Sequence, residues 1–211
     1  ECKLCAEGSA SGEKNRTIPC GACTNGTKAQ GLGNTKCQVC DGGESGTGPG
    51  GKCEPCAEGR YRKGKDMENT DSCVACPTGF FQDSGGQTSC LPCIPGEFQN
   101  ETGKTECKLC AEGTASDKKN RTTPCDACAP GSHSTGNGAV ACTLCLPGRY
   151  QDTMGERSCK RCELGRFVAT QNATSCQPVP KGHIPQAGAS SSARAAPGWR
   201  INQTCTELED M

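Results

Sequence analysis

The sequence predicts a small disulfide-rich fold, mostly irregular with short β-hairpins, built as an elongated rod of about ten tandem single-disulfide repeats. Cysteine accounts for 22 of 211 residues, and ten Cys-x-x-Cys pairs recur in steps of 16 to 20 residues, each followed three residues later by glycine. Leu, Ile, Val and Phe together supply only 21 residues. Because so little apolar matter cannot offset a backbone entropy of roughly 1–2 kcal/mol per residue, covalent bonds are expected to hold the fold.

The cysteine spacing also fits a zinc ribbon, since each Cys-x-x-Cys is separated from the next by 12 to 16 residues. Zinc sites would join the pairs two by two, so alternate gaps would differ in role, yet the gaps in this chain look alike. Asn-x-Thr sequons indicate secretion and hence an oxidising compartment. A thioredoxin-type redox role lacks a βαβ context. We therefore expect disulfides and no metal or other cofactor.

The end of the array indicates which cysteines pair. After Cys176, Val179 stands where a second cysteine is expected, and Ser192 or Ala193 stands where the following first cysteine is expected. Both ends of one loop have been lost together, as the two members of one bond would be. The second cysteine of each pair is therefore predicted to bond the first of the next: Cys5–Cys20, Cys23–Cys37, Cys40–Cys53, Cys56–Cys73, Cys76–Cys90, Cys93–Cys107, Cys110–Cys125, Cys128–Cys142, Cys145–Cys159 and Cys162–Cys176.

Each predicted loop contains the signals of a two-stranded hairpin. The glycine after the cysteine pair permits a positive φ, and Gly-rich turns such as residues 83–86 precede the return to the next cysteine. An aromatic residue or histidine follows five residues after the second cysteine in six repeats, and we expect this ring to cover a disulfide and the neighbouring repeat. The six are Tyr61, Phe81, Phe98, His133, Tyr150 and Phe167.

A longer duplication overlies the short repeat. Residues 1–23 match residues 106–128 at 18 of 23 positions, so a block of repeats has been copied. We therefore divide the chain into a first block of cysteine-rich repeats at 1–106, a second block at 107–176, and a degenerate repeat or tail at 177–211.

The repeating unit resembles a known family. The segment Cys73–Phe81, with the pattern Cys-x-x-Cys-Pro-x-Gly-x-aromatic, resembles the ephrin-receptor-like cysteine-rich repeat and is also similar to the single-disulfide module of tumour-necrosis-factor receptors. The resemblance covers residues 2–176 and implies elongated, disulfide-bonded extracellular rods. It specifies no activity. The aromatic residue of the pattern is replaced at Ala10, Lys28, Ser45 and Ala115.

Composition argues against several classes of protein. The chain carries 23 basic and 23 acidic residues, so it offers no field for nucleic acid or anionic lipid. No apolar stretch reaches ten residues, so direct membrane insertion is not expected. The two histidines are His133 and His183, and no motif of hydrolases or metalloproteases is present. We therefore expect that the chain is not an enzyme.

The sequons are the best candidates for chemical modification. They lie at Asn15, Asn25, Asn100, Asn120, Asn172 and Asn202, and each predicts an N-linked glycan. Asn15, Asn120 and Asn172 all follow their second cysteine by ten residues, so they are expected to share one structural position. The alternative is that Asn serves a turn there.

Two cysteines remain outside the predicted pairs, Cys2 and Cys205, one near each end of the chain. In an extended array they cannot meet within one molecule, so we expect them to bond other chains or neighbouring segments of a longer one.

Two functions are compatible with these features. The first is an extracellular, secreted or cell-surface glycosylated rod that forms part of an appendage, fibre or matrix, whose partners are other copies of itself. The second is the ligand-binding ectodomain of a cell-surface receptor. In that case a ligand face is expected at residues 59–99, the aromatic-bearing part of the longest sequon-free stretch.

Overall fold

The computed structural model describes residues 3–13, 18–24, 26–46, 50, 52–64, 72–194, 199–201 and 208–210. The chain divides into two compact units. One comprises Glu1–Cys93, Phe98–Lys108 and Lys119–Thr123, and the other comprises Ile94–Glu97, Leu109–Lys118 and Pro124–Met211. Among the described residues, no helix is both long enough and apolar enough to span a bilayer.

Short strands of two or three residues make up the regular structure, and neighbouring strands pair into two-stranded hairpins. In chain order they are β1 Ser9–Ala10, β2 Gly21–Ala22, β3 Thr27–Lys28, β4 Gln38–Val39, β5 Glu44–Gly46, β6 Cys53–Pro55, β7 Arg60–Tyr61, β8 Val74–Ala75, β9 Phe80–Phe81, β10 Leu91–Pro92, β11 Glu97–Phe98, β12 Lys108–Leu109, β13 Thr114–Ala115, β14 Asp126–Ala127, β15 Ser132–His133, β16 Thr143–Leu144, β17 Arg149–Tyr150, β18 Lys160–Arg161, β19 Arg166–Phe167, β20 Gln177–Pro178, β21 His183–Pro185, β22 Ser192–Arg194, β23 Trp199–Ile201 and β24 Leu208–Asp210.

Almost no helix accompanies these strands: the described part of the chain contains one 3-10 turn, Ala187–Ala189. The structure therefore confirms the predicted disulfide-rich class with short antiparallel hairpins. We call each disulfide-closed loop a repeat and number the repeats from 1 (Cys5–Cys20) to 10 (Cys162–Cys176). Each repeat opens at the second cysteine of a Cys-x-x-Cys pair. A residue's position is its distance in sequence after that opening cysteine, so that Gly59 stands at position 3 after Cys56.

A turn at position 3 opens each hairpin. In repeat 4, the Arg60 N–H donates to the Ala57 carbonyl at 3.1 Å, and Gly59 takes φ +73° at the third place of this turn, as type II turns require. The Gly59 carbonyl then accepts from the N–H of Cys76 at 2.9 Å, and the strands pair in the register Arg60↔Ala75. Position 3 is glycine with positive φ in all ten repeats.

Backbone hydrogen bonds also join each repeat to the next within a compact unit. From repeat 4 to repeat 5, the Gly59 N–H donates to the Gln82 carbonyl at 2.7 Å and the Arg62 N–H to the Gln87 carbonyl at 3.1 Å. In return, the Gly86 N–H donates to the Cys56 carbonyl at 2.7 Å. Backbone hydrogen bonds thus join neighbouring hairpins within a compact unit, and most of the buried apolar residues are cysteines.

The chain continues beyond Cys176 as an eleventh repeat that lacks its disulfide. The Val179 N–H donates to the Gly165 carbonyl at 2.9 Å, the bond that a second cysteine makes elsewhere, and Gly182 keeps the positive φ of position 3. The register His183↔Arg194 corresponds to Arg149↔Arg161 of repeat 9, where the second partner follows its first cysteine by two residues. Ser192 therefore occupies the place of the missing first cysteine.

Candidate functional sites

Ten disulfides close the repeats, and their Cα–Cα separations lie between 5.4 and 5.8 Å. Each joins the second cysteine of one Cys-x-x-Cys to the first of the next, which is the pairing proposed from the sequence. They are Cys5–Cys20, Cys23–Cys37, Cys40–Cys53, Cys56–Cys73, Cys76–Cys90, Cys93–Cys107, Cys110–Cys125, Cys128–Cys142, Cys145–Cys159 and Cys162–Cys176.

In most of the described disulfides the two cysteines differ in exposure. Second cysteines such as Cys76 and Cys93 are fully buried, whereas their partners Cys90 and Cys107 are half-buried. Thiol–disulfide exchange requires that a thiolate reach one sulfur of the bond. In these repeats an attacking thiol therefore reaches the first cysteine of the Cys-x-x-Cys more easily and displaces the buried second one. Repeats 9 and 10 differ, since Cys145 and Cys159 are both buried and Cys176 is more buried than Cys162.

Of the rings expected to cover a neighbouring disulfide, His133 at position 5 contacts the following repeat. The Nδ1 atom of His133 in repeat 8 lies 3.1 Å from the Cys159 Sγ atom of repeat 9. Lys28 occupies this place in repeat 2 and instead forms ion pairs with Asp41 at 2.9 Å and Glu44 at 3.1 Å in repeat 3. The first of these pairs, followed by the second, raises the pKa of Lys28. An ion pair thus substitutes for a ring at a position where the aromatic pattern fails.

His133 also belongs to a cluster with the geometry of a metal site. Its ring nitrogen and the sulfurs of Cys145 and Cys159 all lie within 4.8 Å of one another. The two sulfurs are bonded to each other, however, and metal coordination by cysteine requires thiolates. In the oxidised protein this group is therefore a histidine packed on a disulfide.

The buried polar position of the repeat is position 6, which the sequence analysis did not single out. Gln99 is 1% exposed, its Nε2 donates to the Glu106 carbonyl at 2.8 Å, and its Oε1 accepts from the Glu101 N–H at 3.0 Å. Gln82 and Gln151 make the same two bonds in their own loops. The recurrence of glutamine directly after the aromatic residue was a signal that sequence reasoning could have used.

Asn120 and Asn172 occupy one structural position, as predicted. Both are exposed and have positive φ, 55° and 60°, and their N–H groups donate to the carbonyls of Cys93 and Cys145 at 3.0 Å. Glycine with positive φ occupies position 10 in other repeats, as Gly86 and Gly103 do. Asn is thus a residue that both satisfies this turn and offers an exposed side-chain amide.

The threonine of these sequons is not specific to them. Thr122 and Thr174 stand at position 12, but Thr88 and Thr105 stand there too, following a glycine at position 10. The turn therefore uses threonine whether or not asparagine is present. Asn100 differs, since it lies at position 7, is exposed, and accepts a hydrogen bond from Lys108 Nζ on its Oδ1 at 2.9 Å. Its Nδ2, the atom that would carry a glycan, donates no hydrogen bond to any described residue.

Several predicted sites lie outside the described residues. These are the sequon residues Asn15, Asn25 and Asn202 and the two cysteines without a predicted partner, Cys2 and Cys205.

Comparison with known proteins identifies the repeat. Residues 66–97 and 131–178 match the family described as tyrosine-protein kinase ephrin type A/B receptor-like. No curated protein matches the chain significantly. The matched segments contain the same turn, hairpin and disulfide as the repeats around them, and disulfide-rich repeats of this type are typical of extracellular, receptor-like regions. Residues 66–97 and 131–178 are therefore ephrin-receptor-like, and they lie within an array of ten tandem disulfide-closed repeats.

Proposed function

We propose that this chain is a structural, non-catalytic segment or subunit of a cell-surface appendage, fibre or matrix protein, glycosylated and exposed outside the cell. The observation that supports this most is the repeat-to-repeat ladder. Each of repeats 1 to 10 is closed by one disulfide, and repeats within a compact unit are joined by backbone hydrogen bonds such as Gly59–Gln82 and Gly86–Cys56. Such a chain resists extension through covalent loops, and its partners are other copies of itself or neighbouring segments.

Electron microscopy of native material in negative stain tests the proposal. Filaments of regular repeat are expected for a structural role, and reduction of bonds between chains, which we assign to Cys2 and Cys205, should disperse them. Dispersed particles of single-chain mass in the native material would contradict it.

A receptor ectodomain is the second candidate, because the matched family is described as receptor-like. It predicts a monomer that binds a ligand through residues 59–99, the aromatic-bearing part of the longest stretch without a sequon. The same images distinguish the two functions.

Glycosylation can be tested separately from the turn that Asn120 serves. Asn120→Gly removes the sequon and places at position 10 the residue that Gly86 and Gly103 have there, so the fold should persist. The intact mass should fall by one glycan, as it should for Asn100→Gln. If the Asn100 variant loses the mass of a glycan and the Asn120 variant does not, Asn120 serves the turn alone.

A further inference from the structure

One position of the repeat is occupied by an apolar residue in all repeats but one, where a charged residue replaces it. The residue before the second cysteine is apolar in every repeat except one, where it is Arg161. The full set is Leu4, Ala22, Val39, Pro55, Ala75, Pro92, Leu109, Ala127, Leu144, Arg161 and Pro178. Since an apolar residue satisfies the hairpin everywhere else, folding does not call for an arginine in this repeat.

The strand register makes Arg161 costly. It pairs directly with Arg149 across the hairpin of β17 and β18, whereas the arginines at the same place as Arg149 in other repeats, Arg60 and Arg166, face Ala75 and Pro178. Like charges directly opposite each other on a sheet are destabilising. A cost retained without a folding benefit points to a use for the charge.

No partner within the described chain neutralises Arg161. Arg149 donates from Nη1 to the Cys159 carbonyl at 3.4 Å, and Arg166 donates from Nη1 to the Cys176 carbonyl at 2.9 Å. Arg161 makes neither a hydrogen bond nor an ion pair with any described residue. The nearby Glu163 makes no ion pair with the described residues either.

The three arginines line one cleft of about 510 Å³, together with Glu163 and residues of repeat 11. Three guanidinium groups and one carboxylate give the cleft a net charge of +2. This volume lies within the range of about 300–1,000 Å³ that is typical of small-molecule sites and exceeds the needs of a lone inorganic anion.

The cleft occurs where the repeat pattern fails. In repeat 9, the Gly155 N–H at the turn donates to the Cys128 carbonyl of the preceding repeat at 2.8 Å. In repeat 11, among the described residues, no such bond joins Gly188 to the Cys162 carbonyl, because the loop forms the 3-10 turn Ala187–Ala189 instead. Gly188 and Cys162 both line the resulting space.

We propose that this cleft binds a sugar that carries a sulfate or phosphate ester, with Arg161 as the principal contact. Guanidinium groups bind tetrahedral oxyanions through two parallel N–H donors, and a group with up to two negative charges balances the cleft. The remaining volume accommodates the sugar ring, and Glu163 and Gln186 are placed to hydrogen-bond its hydroxyl groups. This site does not depend on whether the chain forms filaments.

Binding of fluorescently labelled probes to the intact, oxidised chain tests the site. The probes are a sulfated disaccharide, a hexose phosphate and the unmodified disaccharide. We expect one or both charged probes to bind, the neutral sugar not to bind, and affinity to fall as salt is raised. Comparison of the two charged probes identifies which ester the site accepts. Failure of both would overturn the proposal.

A pair of variants separates the site from general surface charge. Arg161→Ala places at this position the residue that Ala75 and Ala127 have there, so the hairpin should fold, and affinity should drop at least tenfold. Arg157→Ala removes an exposed arginine 3.8 Å from Glu112 and outside the cleft, and affinity should change less than twofold. Unchanged affinity in Arg161→Ala, or an equal loss in both variants, would overturn the proposal.

Discussion

The glycine at position 3 is required for two separate reasons, and these can be measured apart. Gly113 has φ 77°, and a Cβ added there would lie 1.9 Å from the backbone oxygen of Gly155, two repeats away. Gly136, which lies at position 8 of its repeat and serves as the comparison, has φ 80°, but a Cβ added there would meet no atom within 4 Å. Both substitutions force an L-residue into the left-handed region, at about 1–2 kcal/mol. Only that at Gly113 also displaces backbone.

Gly136→Ala should therefore lower the free energy of unfolding by about 1–2 kcal/mol, and Gly113→Ala by at least about twice as much. Calorimetry of the oxidised variants measures the difference. Equal losses would mean that the close approach between repeats 7 and 9 has no energetic weight.

Gln99 is predicted to stabilise its loop from the inside. Gln99→Ala leaves the Glu106 carbonyl and the Glu101 N–H without their side-chain partner and opens a cavity, so we expect a loss of about 2–4 kcal/mol. The Gln87 side chain is exposed, and among the described residues its only hydrogen bond is from Nε2 to the Gly85 carbonyl at 3.3 Å, so Gln87→Ala should cost less than about 0.5 kcal/mol. Thermal unfolding of the two variants, with hydrogen exchange at Glu101, checks the contrast. The idea fails if the two melt together.

The contact at position 5 was expected from the sequence, whereas the buried polar residue at position 6 was not. Cysteine spacing predicted the pairing because a bond limits how far apart two Cα atoms lie, and glycine predicted the turn because few residues take positive φ. Position 6 was missed because adjacent strand residues face opposite sides, and polarity alone does not indicate which side is buried. Gln99 is buried because its hydrogen bonds are satisfied locally, which hydrophobic patterning does not report.

The loop is the next scale, and repeat 6 shows its electrostatics. Glu101 forms ion pairs with Lys104 at 2.8 Å and with Lys108 at 2.5 Å. Hydrogen bonds from Lys104, and then from Lys108, lower the pKa of Glu101 to about 2 from its ordinary value of 4.5. All three groups are largely exposed, so their effect on stability is small and is reduced by salt.

The folded pKa of Glu101 is the depressed one, so its stabilising contribution is complete above pH 4.5 and is lost as pH falls towards 2. Titration of the Glu101 carboxyl by NMR should give a midpoint near 2, and Lys104→Gln should move that midpoint upward. Lys181→Gln, in repeat 11, should leave it in place. A midpoint near 4.5 in the unmodified protein would show that these ion pairs do not persist in solution.

At the scale of the whole molecule, the degenerate repeat shows what the disulfide does and does not supply. Repeat 11 keeps the turn at Gly182 and the hairpin of β21 and β22 without a bond between Val179 and Ser192. The sequence located this lost bond, but it could not locate the cleft, which arises from contacts among repeats 9, 10 and 11. A hairpin of this size is stable without a disulfide because it contacts the preceding repeat.

Repeats 1 to 10 lose this support when all their disulfides are reduced at once, because no neighbouring repeat then keeps its bond. Each disulfide closes a loop with a sequence separation of 13 to 17 residues, and a loop of that length contributes roughly 3 kcal/mol by restricting the unfolded chain. Because most of the buried apolar residues are the cysteines themselves, reduction releases the constraint at the centre of each repeat's interior. A phosphine reductant should therefore abolish amide protection throughout residues 72–176, whereas a chelator of divalent ions should leave it intact. Protection that survives reduction, or a stoichiometric metal released by the chelator, would mean that the interior is held by something other than oxidised sulfur.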